Sequence, residues 1–266
     1  MRAVLVAAVA LGLLTPAGAH ARDLDDIKKQ GRLRVVAVVE EREPEFVSLK
    51  PGGAPGFDRE ILEGFARIQG VGLEFVLAPS WQVLMPSLVE GKGDLVAGRV
   101  SDTASRRAKA DFTAEVFPTR IVVVTRKPRA ALASASEMAG LRVGTIPGTS
   151  MMDALKATGL PSQKVVPLAA GQLVEALRDG KVDVAVWALE GALLAQRRDP
   201  DLQIGTFLGP PESLAYGVAK GSPQLLAALN EHIALLRRTG TWNRLVVKYF
   251  GATAPVILNQ ANSASR

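Results

Sequence analysis

Arg106 closes the run Ser101-Asp102-Thr103-Ala104-Ser105-Arg106, with a second arginine, Arg107, directly after it. A guanidinium presents parallel N–H donors that match the two oxygens of a carboxylate. Hydroxyls such as those of Ser101 and Thr103 can complete the shell around the same anion. The run reads equally well as a capped, solvated helix start, with turn and N-cap chemistry at Ser101 and Thr103 and a surface charge at Arg106. Gly148-Thr149-Ser150 poses the same choice. It is either a plain helix cap or an anion site built from free N–H groups and a helix dipole. Trp81 offers a ring face to an apolar group or a cation, or fills a core. Glu43 and Phe46 lie in the loop after a first predicted strand. Arg99 and Glu190 are further charges near predicted element ends.

Other chemistries are closed to this chain. It has no cysteine, so disulfides, thiolate metal sites and a thiol nucleophile are excluded. Of two histidines, His20 falls in a segment expected to be removed, and His232 is expected to be structural rather than part of a Ser-His-Asp triad. There is no phosphate-binding glycine loop and no His/Glu cluster at metal-ligand spacing, so neither a cofactor nor a metal is expected. The net charge of +6 serves solubility or an anionic partner. The basic residues form no stripe interleaved with aromatics, which argues against nucleic acid. The hydrophobic share of 48% against 22% charged residues marks a globular chain. With aromatics at 5%, its core must be built mainly of Ala, Val and Leu.

The elements that must position these residues alternate. Arg2, the apolar run Ala3 to Leu14, the breaker Thr15-Pro16 and the small-x-small triplet Ala19-His20-Ala21 read as a secretory leader, cleaved after Ala21. No later stretch is apolar for long enough to span a bilayer. Strands are predicted at 33–39, 73–77, 95–100, 121–125, 141–146, 165–168, 182–186 and 216–219. Helices are predicted from Asp58, as N-cap, over 81–90, 105–110, 150–158, 172–178, 191–198, 223–239 and 241–250. The tail after Gly251 is expected to be unpacked. Two α/β units in one chain place a ligand naturally in the cleft between them.

The chain also resembles the extracellular solute-binding proteins, family 3, that serve polar amino acid ABC transporters. The stretches carrying the likeness are GRLRVVAVV (31–39), GFDREILEGFA (56–66), SWQVLMPSLVEGKGDLVAG (80–98), SDTASRRAKADFT (101–113), LRVGTIPGTS (141–150), LRDGKVDVAVW (177–187) and LLRRTGTWNRLVVKYFG (235–251). The resemblance implies an α/β, two-lobed type II periplasmic binding fold, each lobe a mostly parallel sheet flanked by helices. It implies a leader at 1–21, a first lobe of 22–126 plus 218–251, a second of 127–217 and a flexible tail at 252–266. Hinges would fall near 124–127 and 217–220. It further implies that Arg106, with Ser101 and Thr103, grips a ligand α-carboxylate and that Gly148, Thr149 and Ser150 meet it from the other lobe. Trp81 would lie against the ligand's body, with Phe46 and Glu43 on another wall, where an acidic residue stands in place of the family's usual aromatic.

The main departure is Ala188, where the family's amino-acid binders carry an Asp for the ligand's ammonium. Glu190 is the candidate substitute, and Arg99 adds a positive charge. The expected function is non-enzymatic: a periplasmic, monomeric receptor that hands a small carboxylate-bearing ligand to an ABC transporter permease. The alternatives are an exported enzyme resembling cyclohexadienyl dehydratases, with Glu190 and Glu43 as acids, and a sensor or accessory protein. Residues 111–128 also resemble the binding-like domain of membrane-bound lytic transglycosylases.

Overall fold

In Arg32–Ala37, Leu33, Val35, Val36 and Ala37 are fully enclosed, the last three in succession, which makes this segment an interior strand of a sheet covered on both faces. The computed structural model describes residues 21–38, 45–169 and 171–263. The first half runs α1 (Leu24–Gln30), β1 (Arg32–Ala37), α2 (Phe57–Gln69), β2 (Gly72–Leu77), α3 (Trp81–Val89), β3 (Leu95–Ala97), α4 (Ala104–Arg107) and β4 (Ala110–Phe112). The second holds β5 (Phe117–Arg126), β6 (Val143–Thr145), α5 (Ser150–Ala157), β7 (Val165–Pro167), α6 (Leu173–Arg178), β8 (Val184–Ala188), α7 (Leu189–Arg198) and β9 (Leu202–Leu214). The chain then returns through β10 (Gly217–Ala219), α8 (Pro223–Arg238), α9 (Thr241–Phe250) and α10 (Ala254–Ser263).

Two five-stranded sheets result, ordered β2-β1-β3-β10-β4 and β7-β6-β8-β5-β9. In each, two neighbouring pairs are parallel and two are antiparallel, so that four strands run one way and one, β10 or β5, runs the other. The expected parallel character therefore holds for the β-α-β part of each lobe, and both sheets are mixed. Each lobe's three parallel strands are completed by strands that border the crossings between lobes.

Four expectations are corrected. All of β5 pairs with β8 and β9, so the first crossing falls at 113–116 rather than 124–127. The second falls at 215–216, just before β10. Thr113 N–H donates to the Tyr216 carbonyl at 3.0 Å, Val116 N–H to Leu214 at 2.9 Å and Tyr216 N–H to Thr113 Oγ1 at 3.1 Å, which ties the two crossings together. The segment after Gly251 is not an unpacked tail. It forms α10, which buries Ala254, Leu258 and Ala261. Finally, Gly56 is the N-cap of α2, and Asp58 is the second helical residue, in the first turn with its side chain buried.

Phe46, Phe57, Phe117 and Phe250 pack edge-on or tilted, with ring centroids 4.7–6.3 Å apart, between the first lobe, the crossing and α9. Trp242 joins them and donates Nε1–H to the Val116 carbonyl at 2.7 Å. This cluster is part of one continuous set of buried side chains that reaches both sheets.

Candidate functional site

Parallel β-α-β units leave a crevice outside the carboxyl ends of their strands. Here those ends are Ala97-Gly98-Arg99 after β3, Ile146 to Thr149 after β6, and Trp187-Ala188 at the end of β8. Between the lobes they border a cleft of about 650 Å³. Trp81 and Arg99 line it from the first lobe. Ile146, Thr149, Met151, Val174, Trp187 and Ala188 line it from the second. Arg178, Arg198 and Asp199 add its charged margin.

Trp81 opens α3 directly after the Ser80 cap, and its ring is half-buried against the cleft. Arg99 has φ 64, the left-handed region that side-chain-bearing residues seldom occupy. The Gly98 and Arg99 N–H groups point to the Asp58 carboxylate, which also accepts from Tyr216 Oη at 2.9 Å. This bonding aims the Arg99 side chain across the lobes. Its Nη2 lies 3.4 Å from Glu190 Oε1, and its guanidinium stands 5.6 Å from the Phe46 ring centre. Glu190 is buried in the first turn of α7, and its other oxygen accepts from the Thr119 hydroxyl. Its direction is therefore inward, toward the protein's own cation.

Asp58 is a carboxyl whose pKa is raised to about 6, because burial outweighs its hydrogen bonds from Tyr216 and the backbone. The Tyr216 hydroxyl is pushed well upward by the same burial and by the adjacent carboxylate.

Among the carboxylate-grip candidates, Thr103 caps α4, its hydroxyl accepting from Arg106 N–H at 3.4 Å. Arg106 folds back, Nη1 donating to the Ser101 carbonyl at 2.7 Å, and partial burial lowers its pKa. Ser101 itself forms an isolated antiparallel bridge with Leu214 at the second crossing. None of the three lines the 650 Å³ cleft. In the second lobe, Gly148 has φ 72 and is exposed, as is Ser150. The Thr149 hydroxyl turns back to the Ile146 carbonyl at 2.6 Å, so no side chain caps α5. Phe46 is corrected from pocket wall to core: it is 3% exposed within the aromatic cluster. Glu43 lies outside the described residues. His232 is buried, with Nε2 3.1 Å from the Ile61 carbonyl, and its pKa is lowered, chiefly by burial.

The sequence reading missed Trp187, Met151, Val174, Arg178 and Arg198. Trp187 carried a usable signal, since it directly follows the strand predicted at 182–186. Gly191 carried another: a Cβ there would stand 2.6 Å from Trp187 Nε1, so the glycine makes room for the indole. The arginines sit at helix ends, where a solvated charge is the ordinary expectation.

Known proteins share this architecture. The family model for bacterial extracellular solute-binding proteins, family 3, matches residues 35–252. A membrane-bound lytic murein transglycosylase F of Desulfosudis oleivorans is 29% identical over 202 residues, covering 74% of this chain and 44% of that protein. A probable histidine-binding protein of Neisseria gonorrhoeae is 27% identical, covering 75% and 76%. The chain spans about half the length of the transglycosylases it matches. Among solved structures, an ancestral cationic amino acid solute-binding protein superposes with TM-score 0.75 at 25% identity, over 85% of this chain and 99% of that one.

Proposed function

Since the chain belongs to the bacterial extracellular solute-binding proteins of family 3, we propose that it is an exported receptor that closes on a small carboxylate-bearing ligand, an amino acid or a related compound. The ligand passes to an ABC transporter permease. The observation that carries this reading is the cleft itself. It is lined from both lobes at the strand ends, walled by two tryptophans and edged by guanidinium groups. A ligand held by both lobes favours the closed arrangement through contacts that the open one lacks.

Arg106 is proposed as the carboxylate clamp on lobe closure, with Ser101 and Thr103 holding its loop. Gly148, Thr149 and Ser150 would meet the anion from the start of α5. The leader is removed after Ala21, and the chain acts in the periplasm as a monomer.

The first experiment is a thermal-shift screen of amino acids, organic acids and polyamines, followed by calorimetry on the hits. A ligand that binds only the folded chain raises its melting temperature. Arg106→Ala then removes a charge-assisted pair worth about 2–5 kcal/mol of binding, while the Arg107→Ala control retains affinity. Unchanged affinity in Arg106→Ala removes this residue from the site.

The likeness to lytic murein transglycosylases supports a second reading, a binding module that recognises cell-wall fragments rather than a transport cargo. A muropeptide arm in the same screen separates the two.

A further inference from the structure

The interlobe cleft opens at the carboxyl ends of the first sheet's parallel strands. At the other end of that sheet lies a smaller cavity of about 140 Å³. Arg34 in β1, the Gly91 to Gly93 turn before β3, Lys109 before β4 and Lys220 after the oppositely directed β10 line it. Arg22 closes it from the start of the described chain, with Ala21 beside it. The cavity shares no lining residue with the cleft.

Its lining carries four cations, Arg22, Arg34, Lys109 and Lys220, and no carboxylate among the described residues. The carboxylates behind them leave charge over. Asp94, 1% exposed, serves both arginines. It accepts from Arg22 Nε at 2.9 Å and from Arg22 Nη2, from Arg34 Nη2 at 3.0 Å and from the Arg34 backbone N–H at 2.8 Å. Four bonds fill the acceptor sites of one carboxylate. Arg34 stays short of acceptors, its Nε–H enclosed with none. Asp111 meets Lys220 at 2.9 Å in an exposed pair, which holds weakly. The Lys109 ammonium has no partner among the described residues. Glu90, in the turn beside Gly91, pairs with Lys92 at 2.7 Å. Four positive charges thus face two carboxylates, and both carboxylates are engaged.

The volume narrows the ligand. It equals roughly four or five waters at about 30 Å³ each, well below the roughly 300 Å³ at which pockets for organic ligands begin. A tetrahedral oxyanion fits. Its oxygens suit guanidinium and ammonium donors, and two unbalanced positive charges favour two negative ones over one. Cleavage after Ala21 would add a further donor, because the freed Arg22 ammonium, largely protonated at pH 7, replaces a neutral peptide group at the wall.

We propose that this cavity is a second ligand site, taking a small divalent oxyanion such as phosphate or sulfate, and that removal of the leader completes it. The second clause rests on the processing reading above; the first does not.

The test is calorimetry at constant ionic strength on the chain starting at Arg22, with inorganic phosphate, sulfate, acetate and nitrate. Phosphate or sulfate should bind one per chain, at least tenfold tighter than acetate or nitrate. The double variant Lys109→Gln/Lys220→Gln alters only exposed side chains, so it should melt like the parent without anion and bind at least tenfold more weakly. Lys156→Gln/Arg238→Gln removes the same charge from exposed positions outside the cavity and should keep parental affinity. No saturable binding of either divalent ion overturns the site, as does an equal loss in the two double variants. Binding to phosphatidylglycerol vesicles without binding of the free ions overturns it as well. A chain that keeps Ala21 ahead of Arg22 displaces the ammonium by one residue and should bind at least threefold more weakly. Equal affinity in that chain overturns the part given to leader removal while the cavity stands on the lysine variants.

Discussion

Asp58 shows how one side chain joins the first lobe to the crossings. Its carboxylate takes Tyr216 Oη from the second crossing and two N–H groups from the turn that carries Arg99. A carboxyl whose pKa rises from 3.8 to about 6 on folding holds a proton in the native state that the unfolded chain has released. Between about pH 4 and 6 the native state therefore binds more protons, and this group's contribution to stability falls as pH rises through that window. A shift of about two units corresponds to roughly 3 kcal/mol. Groups with lowered pKa, His232, Asp183 and Asp199 among them, act with the opposite sign. His232, with a lowered pKa, contributes stability that grows as pH rises toward 6.5, and Asp183, held near 2 mainly by Arg142, loses its contribution only below about pH 4. The Asp58 effect is thus read as a difference. Urea unfolding of the parent and of Asp58→Asn at pH 4.5, 5.5 and 6.5 should show the stability gap between them changing across that range. A gap that stays constant with pH removes Asp58 from the titration. Almost none of this was legible in the sequence, where an Asp two residues past a glycine at a helix start reads as a cap. The partner that overrides that reading, Tyr216, lies 158 positions away.

At the scale of elements, the β-α-β portions were legible because local pattern and tertiary role agree. The runs at 35–37, 95–97 and 184–186 are apolar and buried on both faces. β9 was missed for an equally physical reason. Its sequence contains Gly205, Gly209, Pro210 and Pro211, which argue against a central strand. It is an edge strand that pairs only with β5, and its register shifts where the Gly-Pro-Pro segment passes Thr119 to Ile121. The site divided along the same line. Trp81 and Thr149 were found because they start helices at strand ends. The Arg99–Glu190 pair depends on the crossing geometry, which no local pattern encodes.

α10 was missed because its Asn, Gln and Ser residues obscure a narrow apolar stripe of Ala254, Leu258 and Ala261. That stripe packs on β5, β9 and α9, and Arg120 Nη1 reaches the Ala261 carbonyl at 3.3 Å. Leu258 is 1% exposed. Leu258→Ala should therefore cost about 3 kcal/mol, or roughly 6–12 °C in melting temperature for a chain of this size. Val256, 61% exposed on the opposite side, is the control, and Val256→Ala should stay within about 0.5 kcal/mol of the parent. Equal, small effects at both positions would mean that α10 does not pack as described.

For the whole molecule, the first residues after the expected cleavage point are already part of the fold. Arg22 pairs with buried Asp94, and Ser222 Oγ donates to its carbonyl at 3.1 Å. The Asp23 carboxylate accepts from Leu24 N–H at 2.9 Å and Leu225 N–H at 2.8 Å, tying the starts of α1 and α8. A chain beginning at Arg22 keeps every one of these bonds. N-terminal sequencing of exported material should start at Arg22 or within a residue or two, and recovery of the full-length chain in the membrane fraction would count against removal of the leader.

Two lobes invite the expectation of two separate unfolding events, and the packing argues otherwise. Buried side chains run without a break from Leu33, Phe57 and Phe65 through Phe117, Trp242 and Phe250 to Ala185, Leu189 and Leu193. On the hinge side, then, neither lobe can melt without exposing the other's core. The pairs Arg99–Glu190 and Arg198–Glu45 and the bond from Arg197 Nη1 to the Tyr249 carbonyl at 2.6 Å join the halves further. Relative movement of the lobes, if a ligand drives it as proposed, has to bend the two tied crossings. Scanning calorimetry of the chain from Arg22 should show a single transition whose calorimetric and van't Hoff enthalpies agree, the signature of all-or-none unfolding. A bound ligand should move that transition upward as one peak. Two resolved transitions, or a ligand that shifts only part of the trace, would mean that the shared core does not couple the lobes.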